Sequence, residues 1–391
     1  MHGIIRKTDK LRSKMQLKLK KLIIGITPPF LRDAFIVFKK RKSYPLFGVS
    51  YWNNNKNKFS VELRNIVDLF LASEDFLKTT KYWKYLLRNN LEQIKEFGLE
   101  TYGKNIARNY YTWTDFTESN IKNVFNFEHK NQDVTLDIFN IHDGFSYSES
   151  IKHNILIQLL YNYAIKNDNT KSKLIQIDSY GYIFGEHPQI NSDIGILTLD
   201  KLSSVIEMEN FEFVIKDIEL PTILEIGAGS GRTANALVYL YPNLKYVIAD
   251  IPPANFVALT RLRRAFPHKR IYFVGNANEI TDFIKKPETW DVLLVLPSLL
   301  EFFPKKFFDL MLAIDCLHEM NLEMRTYFSN IAEHYSKHYY FKIWNSTTIP
   351  LDDLELESSR LEDYGYRNHW QTLVSKECVF PSNFSEFLFK I

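Results

Sequence analysis

Between residues 224 and 232 the chain reads Leu-Glu-Ile-Gly-Ala-Gly-Ser-Gly-Arg, an acid followed by glycines at every second position. Such glycines let the backbone turn tightly beside a ligand. A helix that follows offers free N–H groups and a positive dipole end to an anionic group. With Glu225 placed to receive an amino group, the loop of Gly227, Ala228, Gly229, Ser230 and Gly231 suits the methionine end of S-adenosylmethionine. The dinucleotide fingerprint is Gly-x-Gly-x-x-Gly, so the Gly-x-Gly-x-Gly spacing favours S-adenosylmethionine over NAD. A plain tight turn would use the same glycines, and a second signal is needed. Asp250 supplies it: it lies 19 residues after Gly231, close to the ~20-residue offset at which an acid meets ribose hydroxyls in this topology. Ile251, next to it, belongs to the same expected cofactor site.

The elements around these residues read as alternating strands and helices. Residues 221–226 are an apolar run ending in the glycine loop, and 232–241 are helical. Residues 244–249 form a second buried strand, and 252–266 the helix after it, with proline near its first turn. Two βα units in succession imply a parallel sheet. Further strands are expected at 292–296, 308–314 and 339–344, with Asn321 capping a helix that runs to about residue 335. Residues 370–375 and 384–391 read as a closing hairpin. The third strand is open between 270–275 and 292–296. Upstream, residues 60–166 carry apolar residues mainly at helical spacing, and 199–213 is another helix. The expectation is an α/β, Rossmann-like sheet over residues 216–391, preceded by a mostly helical substrate or lid domain over 43–215.

Residues 315–320, Asp-Cys-Leu-His-Glu-Met, fill the loop after the fourth strand, on the carboxyl edge where open α/β sheets collect ligands. Asp315 is assigned to the cofactor. A methyl transfer to a hydroxyl needs a base to take the proton, and His318 and Glu319 are the catalytic candidates. Asp315 and Glu319 would also suit a divalent cation, but no third ligand accompanies them and no metal is assigned. His369 and Trp370, just before the hairpin, offer an aromatic surface to a substrate, with core packing as the stronger expectation. His142, Tyr147 and His153 are candidates for a lid, each equally explicable by packing.

The composition narrows the function further. Of 391 residues, 45% are apolar and 15% aromatic, enough for sizeable buried cores. The two cysteines, Cys316 and Cys378, are too few for a disulfide framework, as suits a cytoplasmic protein. Residues 1–42 carry thirteen Lys or Arg against two acids, which leaves the rest of the chain acidic despite a net charge of +3. An acidic body argues against nucleic acid as a partner. The arm is basic and amphipathic, with Leu11, Met15, Leu19, Leu22 and Ile26 at helical spacing among lysines. That pattern suits an anionic membrane surface, here the inner face of the cell membrane, or a solubilising or partner-binding segment. No segment reaches the length of a membrane span, and no secretory signal is read. Oligomeric state is not legible.

The glycine-loop sequence, then Ala-Asp-Ile-Pro-Pro at 249–253, then Phe-Asp-Leu-Met-Leu-Ala-Ile-Asp-Cys-Leu-His-Glu-Met at 308–320, resembles the bacterial sugar O-methyltransferases, with the match clearest over 221–344. The resemblance implies a class I methyltransferase that uses S-adenosylmethionine on a sugar hydroxyl of a surface glycan or its precursor. It implies adenine near Pro297, Ser298 and Leu299, with Asn276 as the alternative. It also favours Glu319 as the base, because the family often places Gln where this chain has His318. A catalytically silent scaffold of a membrane-associated glycan-assembly complex, binding the same cofactor, is the alternative function.

Overall fold

The computed structural model describes residues 44–105, 118–127, 136–142, 145–182, 184, 188–346 and 359–391. The basic arm of residues 1–42 lies outside the described residues. The described residues from 46 to 391 form one compact unit.

The first half is helical, as its periodicity requires. Helices α1 (Val49–Asn55), α2 (Val61–Ala72), α3 (Glu74–Lys78), α4 (Lys81–Phe97) and α5 (Tyr102–Asn105) are followed by α6 (Glu118–Phe127), α7 (Tyr147–Ala164) and α8 (Asp168–Gln176). Side-chain caps start several of them: Ser60 accepts from the N–H of Leu63, Thr80 from that of Trp83, and Ser146 forms a full capping box with Glu149. A hairpin of three-residue strands, β1 (Ile190–Ser192) and β2 (Gly195–Leu197), leads into α9 (Leu199–Met208). The hairpin is too short to show as an alternation in the sequence.

The second half builds the sheet: β3 (Thr222–Ile226), α10 (Arg232–Leu240), β4 (Lys245–Ala249), α11 (Ala254–Ala265), β5 (Ile271–Phe273), α12 (Ala277–Lys285), β6 (Val292–Val295), β7 (Leu310–Ile314), α13 (Leu322–Tyr335), β8 (His338–Trp344), β9 (Gln371–Glu377) and β10 (Phe384–Lys390). The strand order is β5-β6-β4-β3-β7-β8-β10-β9. From β5 to β8 all pairs are parallel, and β10 inserts antiparallel between β8 and β9. This is the expected Rossmann-like α/β sheet with its closing hairpin. Both candidate third strands are present: β6 takes the place beside β4, and β5 extends the edge beyond it.

Alternation along each strand sends side chains to two cores. Ile223, Tyr246, Ile248, Leu310 and Leu312 face α9, α10 and α11, and that core runs on without interruption into Trp52, Phe70, Leu91 and Leu160 of the helical half. Leu224, Val247, Leu293, Met311 and Phe341 face α12 and α13, with Trp290 and Trp370 sealing the other side. The change from helical to sheet texture near residue 216 therefore occurs inside one packed body. The helices from 46 onward lie against the sheet through a shared core.

Asn321 performs the expected capping, its side chain accepting from the N–H of Met324 at 2.9 Å at the start of α13. Because α13 follows the 315–320 loop directly, this cap also fixes where that loop ends. Replacing Asn321 with Ala should lower unfolding free energy by about 1 kcal/mol, while Asn321→Ser should keep most of it; urea denaturation of the two variants checks this.

Candidate active site at the carboxyl edge of the sheet

A cavity of about 230 Å³ opens over the carboxyl ends of β3, β4, β6 and β7. Its floor is the glycine loop, in which Gly227 and Gly229 both have left-handed backbones, at φ 64° and 57°. At Gly229 an added Cβ would meet open space, so the missing side chain leaves backbone facing the cavity. At Gly227 a Cβ would come within 2.6 Å of the Cys316 Cβ, so this glycine lets the loop after β7 close on the loop after β3.

Asp250 directly follows β4 and holds the loop from the side. One carboxylate oxygen accepts from the Gly229 N–H at 2.9 Å and the other from the Ile251 N–H at 2.7 Å. Burial pushes the carboxyl up to about 7 against these two bonds. Arg261 braces the loop from below: it bonds the Ser230 hydroxyl at 2.6 Å and the Gly181 carbonyl, and lies 3.5 Å from Asp200.

Of the cofactor residues expected from the sequence, Gly227, Ala228, Gly229, Ser230, Asp250, Ile251, Pro297 and Asp315 line this cavity. Glu225, Gly231, Ser298 and Leu299 are not among its lining residues, and each has another place. Glu225 shares the sheet face of Ile223, so strand alternation carries it under α10, where it is 2% exposed and accepts from the Tyr246 hydroxyl at 2.8 Å. Burial pushes its carboxyl up to about 7. Glu225 thus lies in the core under α10, outside the cavity lining. Gly231 caps α10 and packs on Ala258. Ser298 gives both its N–H, at 3.0 Å, and its hydroxyl, at 2.6 Å, to the buried carboxylate of Asp75. It is Asp75, from α3, that reaches the cavity wall there. Asn276, the alternative, caps α12.

Both catalytic candidates line the cavity from the short turn after β7, but their environments differ. His318 is 6% exposed, with its ring against Trp344 and Phe384, each 5.6 Å away. Burial, aided by the charge of Arg325, drives the imidazole down to about 3, so it stays neutral. Glu319 is half-buried. Burial, reinforced by Asp315 and Asp250, pushes it up to about 8, and a 3.5 Å hydrogen bond from the Tyr82 hydroxyl works in the other direction. A carboxyl titrating near neutrality is matched to accepting a proton there.

The far wall comes from the helical half: Lys78, Thr79, Thr80, Trp83, Leu86 and Asn90. The expected lid residues His142, Tyr147 and His153 are not among the lining residues; His142 instead pairs with Asn154 at 2.5 Å. Trp370 packs on Tyr339 and Phe389, and exposed His369 pairs with Glu333. Among the described residues no group of three His, Cys, Asp or Glu gathers as a metal site, and no helix is long and apolar enough to cross a membrane.

The sequence reading missed Asp75, Glu207 and Lys342. Lys342 lines the cavity from β8, and Glu207 binds it from α9 at 2.7 Å. A lone lysine inside the apolar run of residues 338–344 was the one available signal.

No protein-family model and no curated protein sequence matches the chain. Solved structures are similar to parts of it. An S-adenosylmethionine-dependent methyltransferase from Clostridium acetobutylicum is 13% identical over 48% of this chain and 89% of its own, with a TM-score of 0.31. Human N-acetylserotonin methyltransferase, solved in complex with S-adenosylmethionine, is 15% identical over 49% of this chain and 54% of its own, with a TM-score of 0.28. The mitomycin 7-O-methyltransferase MmcR is 13% identical over 49% of this chain and 56% of its own, with a TM-score of 0.29.

Proposed function

We propose that the chain is an S-adenosylmethionine-dependent O-methyltransferase whose acceptor is a sugar hydroxyl of a surface glycan or its precursor. The observation that carries this reading is the gathering of the glycine loop, Asp250, Asp315 and Glu319 around one cavity. The cofactor, when bound, supplies an electrophilic methyl group on a positively charged sulfur. Acids at the strand ends tolerate that charge, whereas the pyrophosphate of a dinucleotide would face Asp315. The open space beside Gly229 and the left-handed loop fit close backbone approach by a ligand.

In this reading Glu319 takes the acceptor proton. Its raised affinity for a proton gives it the driving force, and neutral His318 shapes the pocket beside it. The acceptor lies against Trp83, whose aromatic face suits a sugar ring, with Thr79, Thr80 and Asn90 near enough in the same wall to bond hydroxyls. The basic arm of residues 1–42 holds the enzyme at an anionic membrane surface, and no nucleic acid takes part.

Titration calorimetry should show binding of S-adenosylhomocysteine and not of NADH. Gly229→Val should abolish that binding, and Asp250→Ala should weaken it by ~1.5–3 kcal/mol, the scale for hydrogen bonds to a charged group. NADH binding without S-adenosylhomocysteine would refute the cofactor assignment.

For catalysis, Glu319→Gln should cut single-turnover methylation by ~100-fold or more with cofactor affinity nearly unchanged, and His318→Gln should cut it less. The proton acceptor works in its ionised form, so turnover should rise with pH and level off above about 8. That limb should vanish in Glu319→Gln. If both variants turn over at the wild-type rate, the base lies elsewhere.

Removing residues 1–42 should leave turnover on a soluble acceptor intact while abolishing salt-sensitive binding to anionic vesicles. Vesicle binding that survives the deletion would rule out the arm as the anchor.

A further inference from the structure

Four charged side chains from separate parts of the fold meet at the cavity, three of them in its lining and Glu207 behind them. Arg232, first residue of α10, makes a fork-to-fork pair with Glu207 of α9, at 2.6 and 2.9 Å, and also bonds Ser204 at 3.2 Å. Lys342 of β8 reaches the same Glu207 at 2.7 Å. Asp315, just past β7, lies 3.7 Å from Arg232 and 3.6 Å from Lys342. Glu207 and Lys342 are 2% and 1% exposed. Against the cost of burial, Arg232 and Lys342 hold the Glu207 carboxyl below its ordinary value, and Asp315 and Glu207 hold the Lys342 ammonium above its own.

The cluster is asymmetric towards the cavity. Arg232, Lys342 and Asp315 line it, while Glu207 is not among the lining residues and neutralises the two cations from behind. Asp315 adopts a left-handed backbone at φ 59°, uncommon for a residue with a side chain. One of its carboxylate oxygens is shielded from solvent and has no hydrogen-bond partner among the described residues. An ammonium carries three N–H donors and a guanidinium five, so the two cations retain capacity beyond their bonds to Glu207. Balanced internally, the four groups present one hungry acceptor beside two donors of positive charge. A lone phosphate would be repelled by Asp315, and a lone amine by Arg232 and Lys342. The complement of this surface is a group holding an ammonium and a carboxylate on one carbon.

We infer that the Arg232, Lys342 and Asp315 cluster, balanced by Glu207, is the subsite for an α-amino-acid zwitterion, with Asp315 receiving the ammonium and the two cations the carboxylate. This rests on the cofactor reading above, where the zwitterion is the methionine end of the cofactor. It gives that end a receiver which Glu225, buried against Tyr246, does not provide. It also makes a residue of the helical half, Glu207, a positioning residue for cofactor recognition.

The test compares two ligands on the full-length protein by calorimetry: S-adenosylhomocysteine, and 5′-methylthioadenosine, which keeps the nucleoside and sulfur but lacks the amino acid. Wild type should bind the first about tenfold or more tighter than the second. Asp315→Asn and Lys342→Met should each shrink that ratio several-fold while leaving 5′-methylthioadenosine affinity unchanged, and this retained affinity also reports that the variant is folded. Glu207→Gln should shrink the ratio without any change at the nucleoside end. Equal affinity of wild type for the two ligands overturns the assignment with no variant required. A ratio that stays at the wild-type value in the folded variants overturns it as well. If wild type binds neither ligand, the cofactor reading itself falls and the subsite with it, an outcome distinct from the other two.

Discussion

Glu207 is an anion at 2% exposure, and a charge so buried is sustained only by partners held in fixed places. Its partners come from α10 and β8, while it belongs to α9, so one carboxylate ties a helix of the first half to two elements of the sheet. With Asp315 the set of four is neutral, so removing any one of them would leave a net charge inside the protein, which is why the arrangement admits little play. The rest of the site inherits its geometry from this knot. It fixes Arg232 directly after the glycine loop, and it fixes Lys342 beside the turn where Asp315 leaves β7.

A second tie works at the other end of the same loop. Arg261 reaches Ser230, Asp200 and Gly181, so α11, α9 and the turn before the β1–β2 hairpin all converge under the loop. Asp250 then fastens the loop tip through the Gly229 N–H. The loop is thus held by an anion at its tip, a cation beneath and an ion pair at its exit. Such bracing keeps a backbone with alternate left-handed glycines in one conformation before any ligand arrives.

Much of this was legible in the sequence, for local reasons. Apolar runs of strand length between helical stretches show as βα units, and the spacing from the glycine loop to Asp250 reflects the length of a single such unit. The cap at Asn321 is legible because its chemistry acts within three residues. What was not legible depends on where distant segments meet. Nothing near Asp75 signals that it will take the donors of Ser298, 223 residues away. Glu225 looks like a ligand because it precedes the glycines, but strand alternation turns it into the core under α10. Likewise His318 and Glu319 are adjacent in sequence, and nothing local signals the shared burial that favours the uncharged form of each, driving the imidazole down and the carboxyl up to near neutrality.

The continuous core that joins the helices from residue 46 onward to the sheet carries a consequence for how such a protein diversifies. A lineage cannot exchange the helical half as a cassette, because the exchange would open the shared apolar interior and strip Glu207 from its two cations at once. The cavity wall between residues 79 and 86 is free of that constraint, because Thr79, Trp83 and Leu86 meet the cavity without belonging to the charged knot. That wall can change residue by residue while the knot beneath it stays whole.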